Sequence, residues 1–170
     1  MSIHVVVMGV AGSGKSTVAE AIHDQLGYTL AEGDEFHPQA NIDKMSAGVP
    51  LNDEDRWPWL RSINTWMKDK AEAGESTVVS SSALKRAYRD VLRDDVPVFF
   101  IHLEGTEEVL AQRMKERPHH FMPASLLRSQ FETLQPLEAD EGGVVVNVDG
   151  SKESEIQQAI AAIEKLQAAH

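Results

Sequence analysis

The sequence predicts an α/β protein with a five-stranded parallel sheet and helices on both faces. Short apolar runs, such as residues 3–8 and 97–103, are typical of strands buried on both faces. Longer segments between them carry apolar residues at helical spacing, and a glycine-rich loop directly follows the first run. In sheets of this kind, ligands bind beyond the carboxyl ends of the strands.

The first elements are marked by clear boundaries. Residues 3–8 form a strand, and the glycine-rich loop leads into a helix over residues 16–26. This helix has an apolar residue every four positions, and Gly27 marks its end. A short second strand over residues 28–31 follows.

The segment after the second strand predicts a substrate-binding insert over residues 35–60. A short helix over residues 38–47 ends near Gly48. Asn52 or Asp53 can cap a longer helix that continues to about residue 73. The remaining predicted strands are residues 76–80, 97–103 and 144–148, and the remaining predicted helices are residues 84–93, 106–116, 124–134 and 153–169.

Composition narrows the class of protein. With 27 acidic and 16 basic residues the formal net charge is −11, which argues against a general nucleic-acid binder. If the ligands are anions, the few cations have to be concentrated at the site. Cysteine is absent, and no apolar run approaches the ~20 residues that span a bilayer. No signal peptide precedes the first strand. We therefore expect one cytoplasmic domain over residues 1–170.

Residues 9–16 read GVAGSGKS and match the phosphate-binding pattern G-x-x-x-x-G-K-[ST]. In this pattern backbone N–H groups surround phosphate oxygens, Lys15 reaches the β- and γ-phosphates, and Ser16 is a ligand of Mg²⁺. The strand before and the helix after disfavour an incidental glycine turn. The predicted nucleotide-binding residues here are Gly9, Val10, Ala11, Gly12, Ser13, Gly14, Lys15, Ser16 and Thr17.

The motif EGDEFHP, residues 32–38, places charge at the end of the second strand. No guanine motif is present, and the third strand ends in serines rather than in an acidic residue. Asp34 is therefore the best candidate to accept the proton of an alcohol or to hold a water on Mg²⁺. A helix cap is the alternative role for Asp34. Glu32 and Glu35 are interpreted as solvated or structural, and His37 as either a donor to substrate or a packing residue.

The segment LKRAYRDVLR predicts a cationic helix face. Lys85 and Arg89 lie four residues apart without an acidic partner in the helix, whereas Arg86 has Asp90 at that spacing. This pattern favours an anionic ligand, and pairing with distant acids is the alternative. Lys44 and Arg56 belong to the insert and are candidates for the same site.

The segment QRMKERPHHFMP predicts a lid over residues 117–135. Arg113 and Arg117 precede a loop bracketed by prolines, and both are candidates to contact nucleotide. His119 and His120 are candidates to contact substrate. A zinc site is the weaker alternative, because the two adjacent histidines lack spaced partners.

Taken together, GVAGSGKST, EGDEFHPQANIDKMSAGVPLNDEDRWPWL, SSALKRAYRDVLR and RPHHFMPASLLRSQFETLQP resemble the gluconokinases among the P-loop kinases. The resemblance implies a nucleoside-kinase-like fold, transfer from ATP to D-gluconate, a need for Mg²⁺, and a homodimer. It matches Asp34 to the residue beside the acceptor hydroxyl and Arg117 to a lid residue near the nucleotide. It also matches His37, Lys44, Arg56, Lys85 and Arg89 to polar residues around the substrate.

Without the resemblance, the residues indicate a kinase of a small, anionic, hydroxylated substrate. Two alternatives remain open at this point. One is a kinase of another small acceptor, such as shikimate or a nucleoside monophosphate. The other is a nucleotide-binding regulatory module without acceptor chemistry, which would bind ATP and transfer phosphate to no sugar acid.

Overall fold

A computed structural model describes residues 2–10, 12–115, 124–148 and 150–169. Within these ranges five strands form one sheet in the order β2-β3-β1-β4-β5, and every pairing is parallel. The predicted fold class is therefore confirmed. The strands are β1 His4–Met8, β2 Thr29–Glu32, β3 Thr77–Ser80, β4 Phe99–Glu104 and β5 Gly143–Asn147.

The helices lie close to the predicted ranges, with two differences. A 3-10 turn, Gly33–Phe36, follows β2 and is absent from the prediction. The basic helix begins at Arg86, because Lys85 has an extended backbone and only flanks it. The helices are α1 Lys15–Leu26, α2 Gln39–Ser46, α3 Asp53–Glu72, α4 Arg86–Leu92, α5 Glu107–Lys115, α6 Ala124–Thr133 and α7 Lys152–Ala168.

The sheet separates two apolar layers. Val5 and Val7 of β1 point toward the layer that contains residues of α1 and α7. Val6 and Met8 point toward the opposite layer, where residues of α3 and α4 pack. Because both faces are covered, β1 is fully buried along its length, as its continuous apolar run predicts. Within the described residues, no helix is long and apolar enough to cross a membrane.

The beginning of α3 is fixed by a capping box. Oδ1 of Asn52 accepts the backbone N–H of Asp55 at 2.9 Å, and Oδ2 of Asp55 accepts the backbone N–H of Asn52 at 3.0 Å. Beyond the cap, Trp59, Ile63 and Met67 are buried against the sheet. The helix is thus held at its first turn and along one face, which makes it a rigid support for the residues around it.

Arg89 is fully buried, which corrects its prediction as a substrate-binding residue. Its guanidinium pairs with Glu141 at 2.7 and 3.2 Å. It also donates to the carbonyls of Ala83, Leu84 and Pro136. The structure bears out the alternative, a distant acid, since Glu141 lies 52 residues away along the chain. Arg89 therefore joins the loop before α4 to the segment that follows α6.

We expect Arg89→Met to lower the free energy of unfolding by about 3–5 kcal/mol, because it leaves Glu141 buried without its counter-charge. Urea titration followed by circular dichroism measures this loss. Arg93→Met is the matched control, because it removes a solvent-exposed pair with Asp90 one turn farther along, at the end of the same helix. A loss no larger than that of the control would contradict the structural role.

The same pair predicts a pH dependence. Burial is the largest single effect and acts to raise the pKa of Glu141. Hydrogen bonds from Arg89 and from the backbone N–H of Glu138, together with the charges of Arg89 and Arg86, outweigh it and lower the pKa below its ordinary value. The pair therefore contributes fully above the ordinary pKa of a glutamate. Its contribution is lost as the pH falls through the lowered value of the folded state. Arg89→Met should reduce the slope of stability against pH in this acidic range, relative to the unsubstituted protein.

Candidate active site

The phosphate loop joins β1 to α1 in a tight turn. Ser13 closes the turn, because its hydroxyl donates to the carbonyl of Val10 at 2.7 Å. Gly14 has a φ of 97°, a left-handed conformation that favours glycine at the first position before α1. Lys15 lies over the loop with its Nζ 3.1 Å from the carbonyl oxygens of Gly9 and Val10. The helix N-terminus and this lysine supply positive charge at the carboxyl edge of the sheet.

Glu32 lies beside Ser16, the residue that the loop motif assigns to Mg²⁺. The Ser16 hydroxyl donates to Oε2 of Glu32 at 3.1 Å, and the Ser80 hydroxyl donates to the same oxygen. Parallel pairing of β2 with β3 sets this arrangement, since Glu32 is in register with Ser80. The carboxylate in contact with Ser16 is therefore Glu32, which the sequence analysis interpreted as solvated or structural.

This pair of residues fits a magnesium ion. Mg²⁺ retains several waters and uses few protein ligands besides the phosphates of its substrate. A single hydroxyl with one carboxylate next to it matches that preference. Within the described ranges, no three or more histidine, aspartate or glutamate side chains are grouped to hold a metal by themselves.

Asp34 projects from the 3-10 turn at the end of β2. Its side chain is 97% exposed, and α2 begins without a side-chain cap, so Asp34 does not cap that helix. The turn packs closely on β3, because a Cβ atom on Gly33 would collide with the carbonyl oxygen of Ser80. Asp34 is thus available to a ligand at the edge of the sheet.

His37 is a packing residue that faces Asp34. Its ring stacks on Trp59 with centroids 4.3 Å apart and an interplanar angle of 17°. Asn41 donates to Nδ1 at 3.2 Å, so Nε2 carries the proton, and Nε2 lies 4.0 Å from Oδ1 of Asp34. Burial lowers the pKa of His37, although Asp34 opposes this effect. The imidazole is therefore neutral near pH 7.

Two of the predicted substrate cations meet at the beginning of α3. Arg56 and Lys85 both pair with Asp53, at 3.4 and 3.6 Å. Both also lie over the ring of Tyr88, 5.6 and 5.5 Å from its centroid. Tyr88 donates to Asp53 at 2.6 Å, and this bond lowers the pKa of Asp53. Lys85 is therefore not an uncompensated charge, but it and Arg56 remain about one-third exposed.

Lys44 connects this group to the turn that carries Asp34. Its Nζ pairs with Asp55 at 2.8 Å. The backbone carbonyl of Asp55 accepts a hydrogen bond from Asn41 at 2.9 Å, and Asn41 also donates to His37. A continuous set of contacts therefore runs from Lys44 to His37, beside Asp34.

Arg113 contacts the segment that follows β5 and the helix α7 rather than lying open at the surface. Its Nη2 donates to the carbonyls of Val148 and Gly150 and to Oε1 of Glu155, the last at 2.7 Å. Oε2 of Glu155 lies 3.2 Å from where a Cβ atom on Gly14 would stand. Arg113 therefore neutralises a buried carboxylate directly behind the phosphate loop.

Four of the predicted site residues lie outside the described ranges. Ala11 belongs to the phosphate loop, and Arg117, His119 and His120 belong to the predicted lid. Their assignment to nucleotide, substrate or zinc stays a prediction.

Sequence reasoning missed several residues that the fold brings to the site. The sequence could have indicated Glu32 as a site residue, because it stands at the end of a strand two residues before Asp34. Trp59 carries no functional signal in the sequence beyond its apolar character, although its indole N–H donates to the carbonyl of Gly33 at 2.7 Å. Asp53 and Tyr88 carry no signal in their spacing, since pairing across 35 residues depends on the tertiary fold.

The phosphate loop, the sheet order and the acidic end of β2 define a P-loop kinase, an ATP-dependent phosphotransferase. Residues 5–137 match a family model described as an AAA domain. Over 152 residues the chain is 47% identical to the gluconokinase of Gluconobacter oxydans (strain 621H), which covers 89% of this chain and 84% of that protein. The chain belongs to the gluconokinase family.

Two solved structures share the fold over nearly the whole chain. A sugar kinase from Janibacter sp. HTCC2649 has a TM-score of 0.90 and 52% identity, and the match covers 96% of this chain and 95% of that one. A gluconokinase from Sinorhizobium meliloti 1021 has a TM-score of 0.87 and 48% identity, with coverages of 96% and 93%. The family resemblance seen in the sequence is therefore confirmed.

We expect Arg113→Met to weaken ATP binding about tenfold, because Glu155 then leaves an uncompensated negative charge behind the phosphate loop. Adding Glu155→Gln removes that charge and should restore most of the affinity. Isothermal titration calorimetry with ATP measures both effects. A double variant as weak as the single one would instead place Arg113 in direct contact with the nucleotide.

Proposed function

We propose that this protein transfers the γ-phosphate of ATP to the 6-hydroxyl of D-gluconate, giving ADP and 6-phospho-D-gluconate. One observation supports this substrate above all. The exposed carboxylate of Asp34 is joined, through His37 and Asn41, to Asp55 at the beginning of α3, and Asp55 pairs with the partly exposed cation Lys44. The partly exposed cations Arg56 and Lys85 lie around Asp53 on the same first turn of α3. Gluconate combines a carboxylate with a terminal primary alcohol, and so it matches a site with cations and one proton acceptor.

In the proposed reaction, Asp34 accepts the proton of the 6-hydroxyl while that oxygen forms a bond to the γ-phosphorus. The bond from the γ-phosphorus to the bridging oxygen breaks, and ADP leaves with the electron pair. Lys15 moves from the loop carbonyls to phosphate oxygens and offsets their negative charge. Arg56, Lys85 and Lys44 attract the carboxylate of gluconate and orient the alcohol toward Asp34.

We also propose Mg²⁺ as the cofactor, held at Ser16 with Glu32 beside it. When bound, the ion neutralises charge on the phosphates. Glu32 contributes by accepting hydrogen bonds from Ser16 and Ser80, which orient the Ser16 hydroxyl at the start of α1.

A coupled assay of ADP release tests the proposal directly. Purified protein with Mg·ATP is given D-gluconate, shikimate, a nucleoside monophosphate or no acceptor. Release that depends on gluconate supports the proposal. Release with another acceptor but not with gluconate would show a kinase of a different substrate. The insert would then bind that substrate instead of gluconate. ATP binding without release for any acceptor would favour a regulatory nucleotide-binding module.

We expect Asp34→Asn to lower kcat by about 10²–10⁴-fold with little change in ATP affinity, because it removes the proton acceptor and leaves the phosphate loop intact. Steady-state kinetics and ATP titration measure the two quantities. Glu35→Gln is the matched control, since Glu35 is an exposed carboxylate on the same turn. Near-normal kcat in Asp34→Asn would remove this residue from the chemistry.

We further propose a homodimer, as the family resemblance implies. The exposed apolar side chains Ile42, Met45 and Val49, on and just after α2, support an interaction surface on the insert. Light scattering coupled to gel filtration should give twice the mass of one chain. The cytoplasmic location, the limits of the insert and the limits of the lid stay predictions.

A further inference from the structure

The turn that carries Asp34 has little structure of its own. It is a single 3-10 turn, Gly33–Phe36, and no side chain caps its beginning. Within the turn, the backbone N–H of His37 donates to the carbonyl of Asp34 over a long 3.4 Å. The carboxylate of Asp34 is almost completely exposed, so its own packing does not fix its position. Neighbouring elements must therefore set the place of this carboxylate.

Residues of α3 supply the contacts that hold the turn. The indole N–H of Trp59 donates to the carbonyl of Gly33 at 2.7 Å in a buried hydrogen bond. The same indole forms the stacking surface for His37. Farther along α3, Trp66 contacts the ring of Phe36 edge-on, with centroids 5.8 Å apart. Trp59 therefore contacts Gly33, directly before Asp34, and His37, three residues after it.

We propose that Trp59 is a positioning residue for phosphoryl transfer, which holds Asp34 at the acceptor by anchoring Gly33 and His37. This inference rests on the proposed function, in which Asp34 accepts the proton of the acceptor. Trp59 suits the task because an indole combines one N–H donor with a large flat surface and only two side-chain torsions. Its own position is secure, since it is 6% exposed on a helix fixed by a capping box.

The anchoring bond ties the turn to α3. The carbonyl of Gly33 accepts the Trp59 N–H in a buried hydrogen bond, so loss of the donor removes this polar link between the turn and the helix. The turn is then less restrained and can shift relative to α3. A displacement of about 1 Å at a reacting group can cost on the order of 10²-fold in rate. Nucleotide binding, which uses the loop after β1, should be spared.

The test compares Trp59→Phe with Trp66→Phe. Both variants replace an indole of α3 that contacts the turn, but the described contacts of Trp66 are ring contacts alone. Two quantities are measured in each full-length variant. Steady-state kinetics gives kcat and both KM values with gluconate and ATP, and hydrogen–deuterium exchange gives the protection of residues 33–37 without any substrate.

We expect Trp59→Phe to lower kcat tenfold or more, leave the KM for ATP within twofold, and lose protection at residues 33–37. Trp66→Phe should keep kcat within twofold to threefold and retain most protection. Equal kcat in the two variants, or unchanged protection in Trp59→Phe, would overturn the positioning role. Failure of the proposed function is recognised separately, because the unsubstituted protein would then show no gluconate-dependent ADP release while the exchange experiment still reports on the anchor.

Discussion

A chain with a formal net charge of −11 has to place two anionic substrates side by side. This electrostatic constraint explains why each cation near the site is held by an acid. The cations around Asp53 stay partly exposed, with two positive charges against one negative charge. The pairs are Arg56 and Lys85 with Asp53, Lys44 with Asp55, Arg113 with Glu155, and Arg89 with Glu141.

Burial separates the roles of these pairs. Arg89 and Glu141 are completely enclosed and use their charges to hold backbone together, whereas the cations around Asp53 keep about a third of their surface in solvent. The backbone N–H of Gln135, just after α6, donates to the carbonyl of Leu84 at 2.7 Å. The end of α6 and the beginning of α4 are therefore one connected region, and the cations around Asp53 lie beside it.

Local patterns predicted the order of strands and helices, because a strand buried on both faces and an amphipathic helix each show their apolar pattern within a few consecutive residues. The phosphate loop could be predicted from its short spacing motif, and the place of Asp34 just after β2 from the strand that precedes it. The acidic partners of Lys85 and Arg89 could not be predicted, since both acids come from distant parts of the chain. The contacts of Glu32 could not be predicted, since its hydrogen bond with Ser80 depends on the register of β2 with β3 and Ser16 lies on a different element. The short 3-10 turn has no periodicity to detect.

We propose that Asp34 faces the acceptor hydroxyl of gluconate, while the cations around Asp53 face the carboxylate of gluconate. A crystal structure with D-gluconate and a non-hydrolysable ATP analogue would test both contacts at once. We expect the 6-hydroxyl oxygen within hydrogen-bonding distance of Asp34 and the gluconate carboxylate against Arg56 or Lys85. A gluconate bound in the opposite orientation, or away from Asp34, would contradict it.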